Sequence, residues 1–307
     1  MRRALALAVS VLALAGCGLG AGEEREGEGV ELRVTRDFGR ERVGSFRTER
    51  VREDQTVMRL LRSRFEIETR FGGRFVQSIE GIEGGGPSGR TDWFYFVNGI
   101  EADVGAAEYE LTPGDVVQWD YRRWDGAMRV PAIVGAFPEP FRSGLRGKRF
   151  PVRVECADQD SDSCELVRRR LDALGIRASG ATLGTGHTTN ILRVVVAPWG
   201  RARIVRAVAA LREGPEHSGV FARFSDDGRT LELLGPGGEG EADAPPGSGL
   251  VAALRPSDEE LVWLVTGPDE RAVGEAARAL DPRSLRDAYA VAATPDGPRE
   301  LPVEEGR

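Results

Sequence analysis

The sequence predicts an α+β protein of two domains. Residues 30–130 place strand-like runs and turns around a single amphipathic helix, and residues 150–295 repeat a strand followed by a helix. The connecting strap between them, residues 131–149, carries the Pro and Gly of a connection. With 307 residues, 40% hydrophobic, the chain is large enough to form ordinary cores.

The first element is an apolar N-terminus. Arg2 and Arg3 precede an apolar run, residues 4–15, which is too short to span a bilayer and ends in "LAGC". The pattern resembles a bacterial lipoprotein signal. That resemblance implies that Cys17 becomes the lipidated first residue of the mature protein, anchored in the lipid bilayer on the extracytoplasmic face of the cell membrane. An ordinary secretory signal followed by a chance cysteine is the alternative.

The segment after this signal, residues 18–29, is rich in Gly and charged residues. It cannot bury enough apolar surface to fold, and it is predicted to be a flexible tether. The formal net charge of the whole chain is −7, and no basic stripe indicates nucleic-acid binding.

The N-terminal domain is predicted to have one helix among several strands. The helix rests on Val57, Leu60, Leu61 and Phe65, which share one face, with Asp54 placed to cap the first turn. The elements follow in the order strand 30–35, strand 43–51, helix 55–65, strand 74–79, strand 92–97 and short strands to residue 121.

Two turns organise the later strands. Asn98-Gly99 is the strongest short hairpin signal, because a tight primed turn needs a positive φ at both central positions. A second turn is expected at residues 112–115, "TPGD". Strand, strand, helix and then several strands is the order of a β-grasp, so the predicted architecture is a β-grasp-like domain followed by a second α+β domain.

An ordered set of motifs gives the N-terminal domain a family resemblance. "TVMRLL", "GGRFVQSIEGI", "WFYFVNG" and "GAAEYELTPGDVVQWDY" occur in this order within residues 30–125. Together they resemble the transcobalamin-like C-terminal domain family. The resemblance implies a soluble ligand-binding β-grasp module, with a corrinoid such as cobalamin as the first candidate ligand.

The chain departs from that family's vitamin-B12 carriers in one respect. In those carriers the small β-domain closes over a corrinoid that rests on an α/α barrel, and this sequence has no series of paired helices. The resemblance therefore implies that a separate α/α-barrel partner would complete the site, or that affinity is modest. A membrane importer is the expected recipient of the ligand.

The candidate ligand surface is aromatic. If Phe94 and Phe96 enter the core, alternation along the strand leaves the intervening rings on the outer face, where large rigid rings could contact a planar macrocycle or a sugar. Packing against the second domain is the competing interpretation. The candidate ligand-binding residues are Trp93, Tyr95, Tyr109, Trp119, Tyr121 and Trp124.

Polar residues near the aromatics are weaker candidates. Asp92, Asp120 and Asp125 could accept hydrogen bonds from ligand amides, although surface carboxylates are common. Asn98 is assigned to the turn rather than to a ligand.

The C-terminal domain, residues 150–295, is predicted to be α+β, with three strand–helix units and a hairpin that turns at Asp227-Gly228. Residues 235–248 are predicted to be a polar loop, and residues 296–307 a disordered tail. The sequence assigns no role to this domain.

Two cysteines remain after Cys17. Cys156 and Cys164 lie at the end of a strand and the start of a helix, in a chain that its N-terminus predicts to be exported, so a disulfide is expected. A metal pair is the alternative, and neither His187 nor His217 has the spacing that would complete a zinc site.

No sequence signature of catalysis is present. The chain lacks a nucleophile elbow, a Walker loop and a zinc-binding helix. "DQDSDS", residues 158–163, imitates a calcium loop but has Ser163 where Gly is needed, and capping of the next helix explains it better. His187 could coordinate a metal, but a lone loop histidine seldom does. We expect no enzyme, no resident metal and no certain cofactor.

Two functions are compatible with these observations. The first is a lipid-anchored extracytoplasmic protein that captures a corrinoid or similar large amphipathic ligand for uptake. The second is a cell-envelope module that binds another protein or a glycan through the same surface.

Overall fold

The computed structural model describes residues 24–25, 28–85 and 89–304. The predicted signal segment and Cys17 lie outside the described residues. The N-terminal region, residues 28–125, contains one α-helix, α1 (Val57–Arg62), and a short 3₁₀ turn at Phe71–Gly73. The first strands are β1 (Glu24–Arg25), β2 (Val30–Arg36), β3 (Glu41–Thr48), β4 (Val51–Arg52), β5 (Ile67–Arg70), β6 (Phe75–Ile79), β7 (Ile82–Glu83), β8 (Thr91–Val97), β9 (Ile100–Glu101) and β10 (Val116–Arg123).

The N-terminal region is built on a five-stranded mixed sheet in the order β3-β2-β10-β8-β9. Strands β2 and β10 are parallel, and the other pairs are antiparallel. Helix α1 packs on one face of this sheet, and a small sheet of β5, β6 and β7 flanks the same core. The mixed α+β class is confirmed, while the specific β-grasp arrangement stays a prediction.

Helix α1 begins with a different cap from the expected one. Thr56 is the N-cap, and its hydroxyl accepts a hydrogen bond from the backbone N–H of Arg59. Asp54 instead pairs with the Arg59 guanidinium. Threonine lies immediately before the helix, where its side chain reaches the third residue on, and Asp54 lies too early in the chain.

The C-terminal region, residues 152–304, contains five α-helices and a 3₁₀ turn at Ala210–Glu213. The helices are α2 (Asp162–Ala173), α3 (Trp199–Ala202), α4 (Arg206–Ala209), α5 (Pro215–Ser218) and α6 (Glu270–Ala279). The strands are β11 (Val152–Cys156), β12 (Ala178–Thr182), β13 (Ile191–Pro198), β14 (Ala222–Phe224), β15 (Leu231–Leu234), β16 (Gly240–Asp243), β17 (Gly249–Ser257), β18 (Glu260–Gly267), β19 (Ala290–Thr294) and β20 (Gly297–Leu301).

Seven of these strands form one sheet in the order β12-β11-β13-β18-β17-β19-β20. The four strands from β12 to β18 are parallel, as strand–helix units require, and β17 and β20 run antiparallel to their neighbours. Helices α2 and α6 cover one face. The short helices and the sheet of β14, β15 and β16 cover the other.

Three expectations for this region need correction. The segment after β13 forms short helical pieces rather than one helix, because α3 ends at Ala202 and the extended backbone of Val205, at ψ 120°, separates it from α4. The supposed polar loop contains β16, which pairs with β15. The tail is ordered through residue 304, since β20 pairs with β19 and buries Leu301 and Val303.

The two regions share a buried, hydrogen-bonded boundary. The second face of the N-terminal sheet packs on the C-terminal region, and Phe38 and Phe96 contact the ring of Tyr289. Polar groups cross as well: Arg33 donates to the Asp287 carboxylate, and the Gln118 amide donates to the Asp287 carbonyl. The central strands of the N-terminal sheet, β2, β10 and β8, are therefore covered on both faces.

The Asn98-Gly99 turn has the predicted geometry. Asn98 and Gly99 have φ values of 54° and 77°, as a primed hairpin turn requires. In the described part of the chain, no helix is long and apolar enough to span a bilayer.

Candidate functional site

Five of the six predicted aromatic residues form part of the core beneath α1. Trp93, Tyr109 and Trp119 are buried, with exposed fractions of 6%, 7% and 3%. Tyr95 and Tyr121 are partly buried against the same core, and Trp124 is half-buried at the end of β10. Burial raises the pKa of Tyr95 and of Tyr109, as expected for phenols that are removed from water.

These rings contact each other, and Trp93, Tyr95 and Tyr121 have hydrogen-bonded polar tips, whereas the buried indole N–H of Trp119 has no partner among the described residues. Tyr95 stacks on Trp119 with centroids 4.9 Å apart, and Trp93 packs on Tyr121 at 5.3 Å. The Trp93 indole N–H donates to the Ile82 carbonyl at 2.9 Å, and the Tyr121 hydroxyl donates to the Glu83 carbonyl at 2.9 Å. Rings that are packed and hydrogen-bonded in this way stabilise a core and leave no open aromatic floor.

The expectation of an outer aromatic face is therefore wrong, although strand alternation itself holds. Trp93 and Tyr95 point toward α1, whereas Phe94 and Phe96 point toward the C-terminal region. The Arg122 guanidinium lies 3.8 Å from the centroid of Phe94. The sheet has no outer face at β8, because a second layer covers each side. A ligand role for the six residues stays a prediction, and for the five that lie in this core it would require the core to open.

The three neighbouring aspartates do not rim a pocket. Asp120 is fully buried and accepts hydrogen bonds from the Thr35 hydroxyl, the Gly39 N–H and the Tyr289 hydroxyl. Burial raises its pKa. Asp92 is half-buried, and burial raises its pKa too. The hydrogen bond from Arg123 lowers the pKa of Asp125.

Asn98 has a structural role beyond its backbone conformation. Its buried amide donates to the Asp115 carboxylate and to the Gly144 carbonyl, each at 2.8 Å, and its oxygen accepts from the Val116 N–H at 2.8 Å. All of the hydrogen-bonding groups that it directs inward have partners, so the side chain fixes the hairpin to the connecting strap.

The two cysteines and the two histidines of the C-terminal region have different surroundings. Cys156 and Cys164 form a disulfide, consistent with the sequence prediction. His187 and His217 are exposed, and among residues 24–25, 28–85 and 89–304 no group of three or more His, Cys, Asp or Glu side chains could hold a metal ion.

A cleft between the two regions is the candidate ligand site. It has a volume of about 600 Å³, within the range of small-molecule sites. Glu28 and Pro113 of the N-terminal region form one side, and Leu174–Arg177, after α2, form the other. Five apolar side chains contribute to its lining: Phe141, Phe150, Val152, Leu174 and Ile176.

The cleft has an excess of positive charge. Arg142, Arg149 and Arg177 line it, and Glu28 is the one acidic residue in its lining. Arg142 pairs with Glu28. Arg149 and Arg177 are exposed, and neither has an ion pair or side-chain hydrogen bond with any described residue. Two available guanidinium groups beside an apolar wall suit an organic anion with an apolar body.

Sequence reasoning missed these residues because it treated residues 131–149 as a connection. The run "RGKRF", residues 146–150, offered a signal, since it combines three cations with an aromatic residue. Arg177 follows Ile176 directly after α2, and nothing in the sequence places it near Arg149. Only the fold brings the two together.

Comparisons with known proteins match parts of this chain. Residues 54–123 match a family described as a domain of unknown function (DUF4430). A structure described as "a putative metal binding protein" from Ruminococcus gnavus ATCC 29149 is 17% identical, with a TM-score of 0.25, and the match covers 31% of this chain and 97% of that one. Haptocorrin in complex with Cbi is 16% identical, with a TM-score of 0.26, and the match covers 34% of this chain and 26% of haptocorrin. Among curated proteins, none matches.

Proposed function

We propose that the protein is a lipid-anchored, extracytoplasmic binding protein that holds a large amphipathic ligand at the cleft between its two regions. The observation that carries this proposal is the pair of available guanidinium groups, Arg149 and Arg177, above an apolar wall in a cleft of about 600 Å³. Cys17 supplies the anchor in this proposal. Binding alone serves this function, and no catalytic residue is required.

The ligand needs an apolar body that carries an anionic group. The apolar part would lie on Phe150, Leu174 and Ile176, and the anion would accept hydrogen bonds from the two guanidinium groups. Helix α2 ends beside the cleft, and the partial negative charge of its C-terminus opposes an anion there. The excess of arginine has to outweigh that repulsion.

A corrinoid is the first ligand to test, because residues 30–125 resemble the transcobalamin-like C-terminal domain family. Cobalamin combines a large ring with one phosphodiester anion, which meets the chemical requirement of the cleft. The ring system is larger than the cleft, so the protein would hold one edge of it. A partner chain, such as an α/α-barrel protein or an importer, would then cover the remainder.

Equilibrium dialysis of cobalamin against the mature chain from residue 18, without acylation, tests this function. That chain contains every described residue and hence every core. The combined Arg149→Gln and Arg177→Gln substitutions should weaken binding about tenfold, since each removes a charge-assisted hydrogen bond from an exposed group. Arg201→Gln, at an exposed arginine outside the cleft, is the matched control and should bind like the wild type.

A second probe separates the site from the identity of its ligand. Anilinonaphthalene sulfonate is an aromatic anion, and phenylnaphthylamine is a neutral analogue without the sulfonate. Sulfonate binding that requires Arg149 and Arg177, without cobalamin binding, would keep the site and reject the corrinoid. If neither cobalamin nor anilinonaphthalene sulfonate bound, the ligand-binding function would be rejected and the cell-envelope interaction module would be favoured.

A further inference from the structure

The N-terminal region has a cationic segment in an otherwise acidic protein. Residues 40–75 contain ten arginines and six acidic residues, although the whole chain has a net charge of −7. The structure gathers five of these arginines, with two acidic residues, around a groove of about 940 Å³ between β3 and α1. The arginines are Arg47, Arg50, Arg52, Arg59 and Arg64.

Two exposed phenylalanines extend this surface. Phe71 and Phe75 are 80% and 40% exposed at the tip of the β5–β6 hairpin, and their rings meet edge to face at 6.3 Å. Gly72 and Gly73, both at positive φ, form the bend between them. A Cβ at Gly72 would have no neighbour within 4 Å, so the tip projects away from the rest of the protein.

The groove and the hairpin tip form one continuous face. Arg62, in the last turn of α1, donates to the Thr69 hydroxyl of β5 at 3.2 Å. Arg64 follows α1 and lies 3.8 Å from the centroid of Phe46 on the groove wall. Arg70 and Arg74, both exposed, flank the two phenylalanines. We call this surface the cationic aromatic face.

The start of the described chain lies at the same face. Strand β1 pairs with β4, and Glu24 is opposite Arg52 on the groove wall. Six residues lie between Cys17 and Glu24, so Cys17 would lie within about 25 Å of that point, at seven Cα–Cα steps of chain. An anchor there would hold the cationic aromatic face near the bilayer.

We propose that the cationic aromatic face docks on the surface of an anionic bilayer. The Phe71 and Phe75 rings enter the interface, and the surrounding guanidinium groups contact lipid phosphates. The orientation of the cationic aromatic face toward the membrane rests on the lipid anchor of the proposed function, but its contact with anionic lipid does not. Docking by this face leaves the cleft between the regions available, because the two surfaces share no lining residue.

Vesicle co-sedimentation of the unacylated chain from residue 18 tests the contact without the anchor. Vesicles with phosphatidylglycerol should bind the protein, and vesicles of phosphatidylcholine alone should bind it much less. Arg70→Gln with Arg74→Gln should weaken binding roughly 25-fold, at about fivefold per arginine near an anionic surface. Phe71→Ser with Phe75→Ser should weaken it about tenfold through loss of the apolar contact.

The matched control is Arg203→Gln with Arg206→Gln, which removes the same charge around exposed Ile204 in the C-terminal region and should bind vesicles like the wild type. An equal loss in this control would show non-specific charge attraction and overturn the proposal. No binding of the wild type to anionic vesicles would also overturn it and favour a protein partner. The hairpin variants should bind cobalamin or the sulfonate unchanged, which separates this result from the ligand-binding test.

Discussion

Substitution of Tyr289 by phenylalanine tests whether the two regions unfold as one unit. The Tyr289 hydroxyl, in the C-terminal region, donates to the Asp120 carboxylate of β10 at 2.9 Å. The ring itself packs on Phe38 and Phe96, and a phenylalanine keeps those contacts. The substitution therefore removes one hydrogen bond between the regions and little else.

The expected magnitude follows from the surroundings of Asp120. This carboxylate is fully buried, and no described arginine, lysine or histidine lies within ion-pair distance of it. It depends on three donors, and Tyr289→Phe leaves the Thr35 hydroxyl and the Gly39 N–H. A hydrogen bond to a charged group contributes about 1.5–3 kcal/mol, so the free energy of unfolding at neutral pH should fall by about 2 kcal/mol.

Urea unfolding of a double-mutant cycle measures this energy. In an Asp120→Ala background the hydroxyl has lost its acceptor, so Tyr289→Phe should cost almost nothing, and the coupling energy should be about 2 kcal/mol. Native-state hydrogen exchange provides the second readout: amides of β8 and of β18 should exchange faster by the same factor in Tyr289→Phe. An equal cost of Tyr289→Phe in both backgrounds, or faster exchange in one region alone, would refute a shared, cooperative boundary.

Four further predictions follow from individual contacts. Trp93→Ala should lower the free energy of unfolding by about 3–5 kcal/mol in urea titrations, because it opens a cavity beneath α1; a stable variant would contradict the core assignment. Reduction of the Cys156–Cys164 disulfide should lower stability by about 2.5 kcal/mol through the entropy of the short loop it closes, with the Cys156→Ser/Cys164→Ser variant insensitive to reductant. Gly135→Ala should destabilise by about 1–3 kcal/mol, because a Cβ there would lie 2.7 Å from the Asp287 carbonyl carbon, and calorimetry without a lower Tm would reject that contact. Burial raises the pKa of the Asp120 carboxyl above 3.8, so the folded state binds the carboxyl proton more tightly than the unfolded state does. The free energy of unfolding should therefore fall as pH rises from the unfolded-state pKa to the folded-state pKa. Asp120→Asn should flatten that part of the pH profile of stability, and an unchanged profile would exclude Asp120 as its source.

Local patterns predicted the local structure well. The apolar spacing of Val57, Leu60 and Leu61 gave α1, and Asn98-Gly99 gave the hairpin, because both depend on neighbours in the chain. The strand–helix units gave the parallel part of the larger sheet. The missed β20 strand is short and half polar, and its pairing with β19 is what orders it.

The sequence could not predict whether either face of β8 is exposed to solvent, because one of the layers that cover the strand is distant in sequence. Alternation places Phe94 and Phe96 opposite Trp93 and Tyr95, but it does not show which pair faces solvent. Tyr289, nearly 200 residues later, closes over one face, and α1 closes over the other. Because both faces of β8 are covered, consecutive residues along the strand are aromatic, as expected for a strand that is buried on both sides.

The burial of these rings changes what the family resemblance can mean for function. "WFYFVNG" lies in β8 and its turn, where it supports the fold, so its presence in this chain indicates architecture rather than a ligand. Ligand choice would then depend on residues outside the motif. Arg149 and Arg177 are such residues, since one ends the connecting strap and the other follows α2, and a domain that resembles residues 30–125 alone would lack both. We therefore expect the C-terminal region to determine what this protein binds, and exchange of residues 146–150 and 174–177 should alter ligand preference without unfolding the N-terminal core.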